Sequence, residues 1–254
     1  SAASDVYKRQ LYQTPARTVM AASQLPAWHR VLVVVAHPDD ESFGLGAVID
    51  AFVAAGASVW VHCLTAGEAS TLGAEAADLG QLRTVELAAA GAALGVAGTT
   101  LRHWPDGGLS ELPPAALVAD VVAAMATHDP SGLLVFDPSG VTAHPDHQAA
   151  TSAAAAAGEA HGIPVLAWTL PAAVAEELAA KTGVPFRGHP PEQWDVAITV
   201  ERTRQHRAIT AHASQAIPGS VLWRRLELLG DREVLRWLVP PLPSDRSTLA
   251  LQRR

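Results

Sequence analysis

The sequence predicts an α/β protein of three layers, with helices on both faces of a mostly parallel sheet and a smaller, irregular C-terminal portion. Two observations lead there. Short, continuously apolar runs alternate with longer alanine-rich stretches of helical period. The chain has 254 residues, 49% hydrophobic and 17% charged, with no shift in composition along it, which suits one large core. The expected organisation is an N-terminal tail over residues 1–25 and a single domain over 26–254.

In chain order, strands are expected at Val31–Val35 ("VLVVV"), Ser58–Leu64 ("SVWVHCL"), Thr99–His103, Gly132–Phe136 ("GLLVF"), Val165–Thr169 and Val196–Val200. Between and after them, helices are expected near Gly44–Ala55, Ala76–Leu94, Pro114–Thr127, Asp146–Ala160, Pro171–Lys181 and Glu201–His212. The Ala153–Ala157 run follows a charged loop and reads as the buried body of a helix. This βαβαβα order implies a Rossmann-like arrangement. Beyond His212 the pattern loosens, with a helix through "SVLWRRLELL" and a short closing element in "REVLRWL". The first ten residues, "SAASDVYKRQ", lack a starting Met and fit no periodic element, so they are expected to be an appended extension.

Composition excludes several classes of function. The formal charge of −7 comes without any dense Lys/Arg stripe, which removes the footprint of nucleic-acid binding. No apolar run approaches the roughly 18–20 residues of a membrane span, and no basic-then-apolar signal layout opens the chain, so a cytoplasmic location is expected. The lone cysteine, Cys63, rules out a disulfide framework and a cysteine-rich zinc site, and is expected to be a buried, unreactive thiol. Lys8 and Lys181 are the lysines, whereas Ala, Arg, Gly and Pro abound, a bias of G+C-rich coding that points to a bacterial source. The sequence leaves a homo-oligomer open.

In a parallel sheet, ligands bind outside the carboxyl ends of the strands. His37, Asp39, Asp40 and Glu41 follow the first predicted strand, Thr65, Gly67 and Glu68 the second, Asp106 the third, and "DPSGVTAHPDH" the fourth. Each Pro fixes its own φ and biases the preceding His towards extended backbone, so "AHPDDE" and "AHPDH" present their side chains in defined directions. His37, Asp40 and His147 form a candidate two-His, one-carboxylate metal site whose halves lie 110 residues apart. Such a set suits one Zn²⁺ per chain and also serves Fe²⁺. Three protein ligands leave a position for water, and Asp39 is the candidate to take its proton. Ordinary packing or capping is expected for His29, His62, His128, His161 and His189, and Ser42 or Glu41 suits a helix cap.

These residues resemble the PIG-L/LmbE-type zinc-dependent N-deacetylases of N-acetylglucosamine-containing substrates. "AHPDDE" after a strand and "HPDH" opening a later helix carry the likeness. "TAGEAS", "RTVELAAAGAALGV", "WPDGGL" and "AHASQ" extend it across about Val31 to Gln215. The resemblance implies that His37, Asp40 and His147 bind zinc and that Asp39 is the general base. It further implies that His144 stabilises the oxyanion or protonates the leaving amine, and that Asp146 orients His144 and raises its pKa. Arg83 and Asp106 become candidate contacts to the substrate, against a surface role for Arg83 and a turn role for Asp106 in "PDGG". His212 either lies near the site or packs its helix. One departure is visible: some family members carry a tyrosine before the second motif, where this chain has Thr142, and its tyrosines are Tyr7 and Tyr12.

The expected activity is therefore hydrolytic removal of an N-acetyl group from a small amino-sugar conjugate. The alternatives are an amidase acting on a sugar–thiol conjugate, a non-catalytic sugar- or nucleotide-binding module, and an Mg²⁺-binding phosphoacceptor domain, the last opposed by the lack of lysine in the strand-end loops. Thr71–Ala77 and Lys181–Trp194 are expected to shape the pocket.

Overall fold

The computed structural model describes residues 22–72 and 78–242. The N-terminal ten residues, both tyrosines and residues 73–77 of the first pocket loop lie outside them. In chain order the elements are β1 (Arg30–Val35), α1 (Asp40–Phe43), α2 (Gly46–Ala54), β2 (Ser58–Thr65), α3 (Leu79–Leu94), β3 (Gly98–Trp104) and α4 (Pro114–His128). Then follow β4 (Gly132–Phe136), α5 (Gly140–Ala143), α6 (Pro145–His161), β5 (Val165–Pro171), α7 (Ala172–Thr182) and β6 (Gly188–His189). The last are β7 (Val196–Thr199), α8 (Thr203–Ala211), α9 (Val221–Leu229) and β8 (Arg232–Val239).

The strands line up as β3-β2-β1-β4-β5-β8-β7, with β6 paired beside β5. From β3 to β5 every pairing is parallel. Alternate residues of each strand feed opposite layers, as the period of two requires. Val31, Val33 and Val35 join Val59, Val61 and Leu134 under Phe52, Leu87 and Ala208 of α2, α3 and α8. Leu32, Val34, Leu133 and Val135 face the other way, onto Leu117 and Val121 of α4 and the Ala150–Ala157 stretch of α6. Both faces of β1 are thus dry, which explains its unbroken apolar run.

The expected strands and helices of the first half are present, with ends shifted by a few residues. The second half departs from the simple alternation. Val196–Thr199 does not extend the parallel sheet beside β5; β8 lies between them, antiparallel to both, with Trp168 opposite Leu235 and Val196 opposite Leu235. The "REVLRWL" segment is therefore a full strand of eight residues inside the sheet, not a short closing piece. Ala22 also bridges to Val196, so the chain is tied to the sheet edge before residue 26. Cys63 is buried, and burial pushes its thiol pKa well up, in keeping with an inert cysteine. No helix among the described residues is long and apolar enough to cross a membrane.

Candidate active site

Charge gathers where β1 ends because the sheet opens there. Directly after the strand, His37 and Asp39 stand partly open, while Asp40, Glu41 and Ser42 of the short helix α1 are buried. Asp39 has φ 122, a strained backbone for a residue with a Cβ. The structure holds it from several sides. The Asp39 N–H donates to Glu41 Oε2 at 3.0 Å, the His37 N–H to Asp40 Oδ2 at 2.9 Å, and Gln215 Nε2 to the Pro38 carbonyl at 2.7 Å. His212 Nε2 meets Glu41 Oε1 at 2.7 Å, and both side chains are fully buried.

The second motif opens α6. Pro145 starts the helix and His144 caps it, its Nδ1 accepting from the Asp146 N–H at 3.3 Å. Before it, Val141 and Ala143 both sit at φ 62, unusual for residues with a Cβ and costly for a β-branched one. His147 Nδ1 donates to the Gly140 carbonyl at 3.2 Å, which leaves Nε2 as its lone-pair atom. His37 Nε2 is claimed by Asp106 Oδ1 at 3.1 Å and Asp146 Oδ2 at 3.2 Å, which leaves Nδ1 as the lone pair.

Those two lone-pair nitrogens face each other at 3.1 Å. Asp40 completes the triangle, with Oδ1 at 3.2 Å from His147 Nε2 and Oδ2 at 3.6 Å from His37 Nδ1. Ligands at about 2.0–2.1 Å in a tetrahedral site are spaced about 3.3 Å apart, so the triangle has the dimensions of a cation site. The donor chemistry fits zinc, two imidazoles and a carboxylate, and the ring protons are directed away from the centre. Two further donor groups share His37 with that triangle, each with ligand atoms within 4.8 Å of one another: His37, His144 and His147, and His37, Asp106 and Asp146.

The electrostatics agree with this fit. Burial disfavours a charged His37, yet Asp106, Asp146 and Asp40 outweigh it and push its pKa up to about 12, so the cluster seeks positive charge. Burial also opposes charge on Asp40, but His147 and His37 hold its carboxyl well below the usual range. His147 is raised, because Asp40 outweighs burial. Asp39 behaves oppositely: burial, then repulsion from Asp40, pushes it up to about 7. His144 is lowered by burial and by the positive charge of His147 and His37.

This corrects one expectation. The Asp146 carboxylate is not bonded to the His144 ring; it accepts from His37 Nε2, from the Gly107 N–H at 2.7 Å and from the Leu109 N–H at 3.0 Å. The Asp146 contact to His144 runs through its backbone N–H, and although the Asp146 charge raises the His144 pKa as expected, burial, His147 and His37 outweigh it and shift it down. Asp106 joins the same buttress, its Oδ2 accepting from the Ala69 N–H at 2.8 Å, and it also borders the cavity.

Arg83 is no surface residue. At 2% exposure it reaches the Gly67 carbonyl with Nη1 at 2.6 Å and the Leu72 carbonyl with Nη2 at 3.1 Å, bracing the loop after β2 while lining the cavity. Gly67, at φ +67, leaves room for that guanidinium: a Cβ there would meet Arg83 Nη1 at 2.1 Å. The "AHASQ" segment proves to be a brace as well. His212 and Gln215 hold the first loop, and Ser214 donates to Glu86 through N–H at 2.8 Å and Oγ at 2.7 Å. Thr71, Leu72, Thr142, Val184 and Phe186 line the cavity, of about 550 Å³, so both anticipated pocket loops reach it.

Arg225 also borders the cavity and is absent from the sequence-based residue set. A signal existed: in α9 it shares the apolar face marked by Leu222, Leu226 and Leu229, where a charge is out of place.

Fold and site together define an α/β protein with a His/Asp cluster of cation-site dimensions at the carboxyl ends of a parallel sheet. The family model described as PIG-L, GlcNAc-PI de-N-acetylase, matches residues 32–158, from β1 through both motifs, and the chain belongs to that family. A protein from Rhodococcus erythropolis named 1D-myo-inositol 2-acetamido-2-deoxy-alpha-D-glucopyranoside deacetylase is 31% identical, over 73% of this chain and 81% of its own. The fold is similar to the crystal structure of the A40926 pseudoaglycone deacetylase, with a TM-score of 0.64 at 23% identity over 85% of this chain and 99% of that one. It is also similar to a 4-carboxy-2-hydroxymuconate hydratase from Pseudomonas putida (TM-score 0.61, 18% identity, 85% and 98% coverage), so this scaffold serves more than one reaction.

Proposed function

We propose that the chain is a metal-dependent N-deacetylase that hydrolyses the acetamido group of an N-acetylglucosamine-type conjugate to acetate and a free amine. The observation that carries this reading is the convergence of His37 Nδ1, His147 Nε2 and Asp40 from two loops, with a half-open carboxylate of raised pKa beside them. The names of the family and of the Rhodococcus relative support the acetamido sugar as substrate class.

His37, Asp40 and His147 would hold the cation, Zn²⁺ by donor chemistry. When bound, it supplies Lewis-acid polarisation of the amide carbonyl and acidifies water. Asp39, pushed up to about 7, is matched to the task of accepting the water's proton near neutral pH. His144 accepts at Nδ1 from the Asp146 N–H, so its proton resides on Nε2, and a neutral imidazole there donates to the oxygen on which negative charge develops. Asp106 and Asp146 fix the His37 ring and keep its Nδ1 directed at the centre. Asp106 and Arg83, both on the cavity wall, are the proposed contacts to the sugar.

The test is acetate release across N-acetylglucosaminyl conjugates with metal content measured on the same preparation. Turnover that tracks bound metal is expected. Stoichiometric metal without acetate release from any member would overturn the deacetylase reading, and absence of both metal and turnover would favour a binding module.

A further inference from the structure

Arg225 is a buried cation without a direct ion-pair partner among the described residues. It is 5% exposed, its guanidinium lies 5.2 Å over the Trp168 ring, and Nη2 donates to the Phe43 carbonyl. Among the described residues Nε is buried without a partner and Nη1 makes no hydrogen bond. Two neighbouring arginines are answered by acids, Arg202 by Glu233 at 2.6 Å and Arg224 by Glu177 at 2.8 Å, and Arg83, the other buried guanidinium on this cavity, spends both terminal nitrogens on the Gly67 and Leu72 carbonyls. Arg225 forms no ion pair among the described residues. Burial lowers its pKa to about 10, with Glu233, Asp39 and Asp40 opposing the fall, so it remains cationic at neutral pH.

The acids at the cavity do not discharge it: Asp40 is engaged by His37 and His147, and among the described residues neither Asp39 nor Asp40 forms an ion pair with Arg225. An unpaired buried guanidinium costs stability, and an anionic ligand in the cavity would supply the missing charge. Its surroundings describe the rest of that ligand: Val184, Phe186, Val221 and Leu222 give the same cavity an apolar wall. Free N–H groups on a planar fork suit paired oxygens better than a single one.

We propose that Arg225 anchors an oxyanion group, a carboxylate or a phosphate, carried by the substrate beyond an apolar segment that lies along this wall. The preferred conjugates are then acidic ones rather than neutral amino sugars. This rests on the deacetylase reading and deepens it.

The experiment uses N-acetylglucosaminides that share one apolar spacer and end in a methyl ester, a carboxylate or a phosphate monoester. The wild-type protein is expected to favour the acidic members by about tenfold or more in kcat/KM, expressed in KM, and the larger of the two ratios identifies which oxyanion fits. In Arg225→Met the acidic-to-neutral ratio falls to about one, and in Arg225→Lys, which keeps the charge and loses the fork, it is intermediate. A wild-type ratio of one, a ratio that survives in Arg225→Met, or an equal loss of kcat on all members each overturns the proposal. If Arg225→Met does not fold, the wild-type ratio and Arg225→Lys decide. If no member is hydrolysed, the deacetylase reading fails separately, and calorimetric binding of the same compounds to wild type and Arg225→Lys decides for Arg225: tighter acidic binding by wild type supports it and equal binding overturns it.

Discussion

His-Pro-Asp occurs twice at this site, and the two copies are used differently. In the first, His37 faces the proposed metal centre, Asp39 stands partly open, and Asp40 reaches that centre. In the second, His144 caps a helix, Asp146 is fully buried, and His147 reaches the centre. The position three residues after the first histidine is a candidate ligand in both. The aspartates two residues after it diverge. Asp146 collects His37 Nε2 and two backbone N–H groups, which overcome burial and hold its carboxyl below the usual range. Asp39 offers its carboxylate no such donors among the described residues, stands beside Asp40, and is pushed up to about 7. An identical local sequence thus produces a fixed anion in one loop and a carboxyl of raised pKa, the proposed proton acceptor, in the other, because hydrogen-bond donors, not the motif, set the charge state.

The sharpest way to break this comparison is to remove ligands. Asp40→Ala and His147→Ala are expected to lose bound metal and all measurable turnover, whereas His144→Ala keeps stoichiometric metal and loses rate. Metal loss in His144→Ala, with retention in Asp40→Ala, would instead select the three-histidine donor group. Next in size is Asp39→Asn, expected to keep its metal and lower kcat by about 10²–10⁴, the usual contribution of a general base. Near-normal turnover of a metal-loaded Asp39→Asn protein would end its assignment as base.

Much of this was legible in sequence, and the rest was hidden for physical reasons. Strands β1 and β4 announce themselves as continuous apolar runs because both sheet faces are covered, and the two motifs announce the candidate ligand set because each lies beyond such a strand's end. The place of β8 was not legible: which neighbour a strand pairs with is a non-local choice, and "REVLRWL" carries no mark of lying between Trp168 and Val196. The partner of Asp146 was hidden similarly, since Gly107 and Leu109 arrive from the loop after β3. For His212 the sequence left site and packing readings open, and the structure joins them: it is fully buried and grips the metal loop through Glu41.

A smaller effect separates the two loops at the level of metal affinity. Asp146→Asn keeps the shape but offers one acceptor oxygen in place of two, so it retains only one of the Gly107 and Leu109 N–H contacts and weakens the hold on His37 Nε2. Loss of such an outer partner typically costs 10–100-fold in metal affinity. Chelator competition should show that weakening in Asp146→Asn and an unchanged affinity in Asp39→Asn. Equal affinities in the two variants would mean that Asp106 alone fixes the His37 ring.

The last expected difference concerns stability, since only the first loop leans on a buried ion pair. Glu41 raises the His212 pKa against the opposing effect of burial, so the native state binds this proton more tightly than the unfolded chain. The stabilisation is therefore complete below the unfolded value near 6.5 and fades as pH rises through the higher native pKa. Removing one partner of a buried pair costs about 3–5 kcal/mol, because the other charge is left unanswered. His212→Gln, of similar size and unable to carry charge, should thus lower Tm most below the unfolded value near 6.5, with the gap to wild type narrowing as pH rises through the higher native pKa. A gap that stayed constant would show that His212 holds Glu41 as a neutral hydrogen-bond donor, and one that widened with pH would reverse the sign of the coupling.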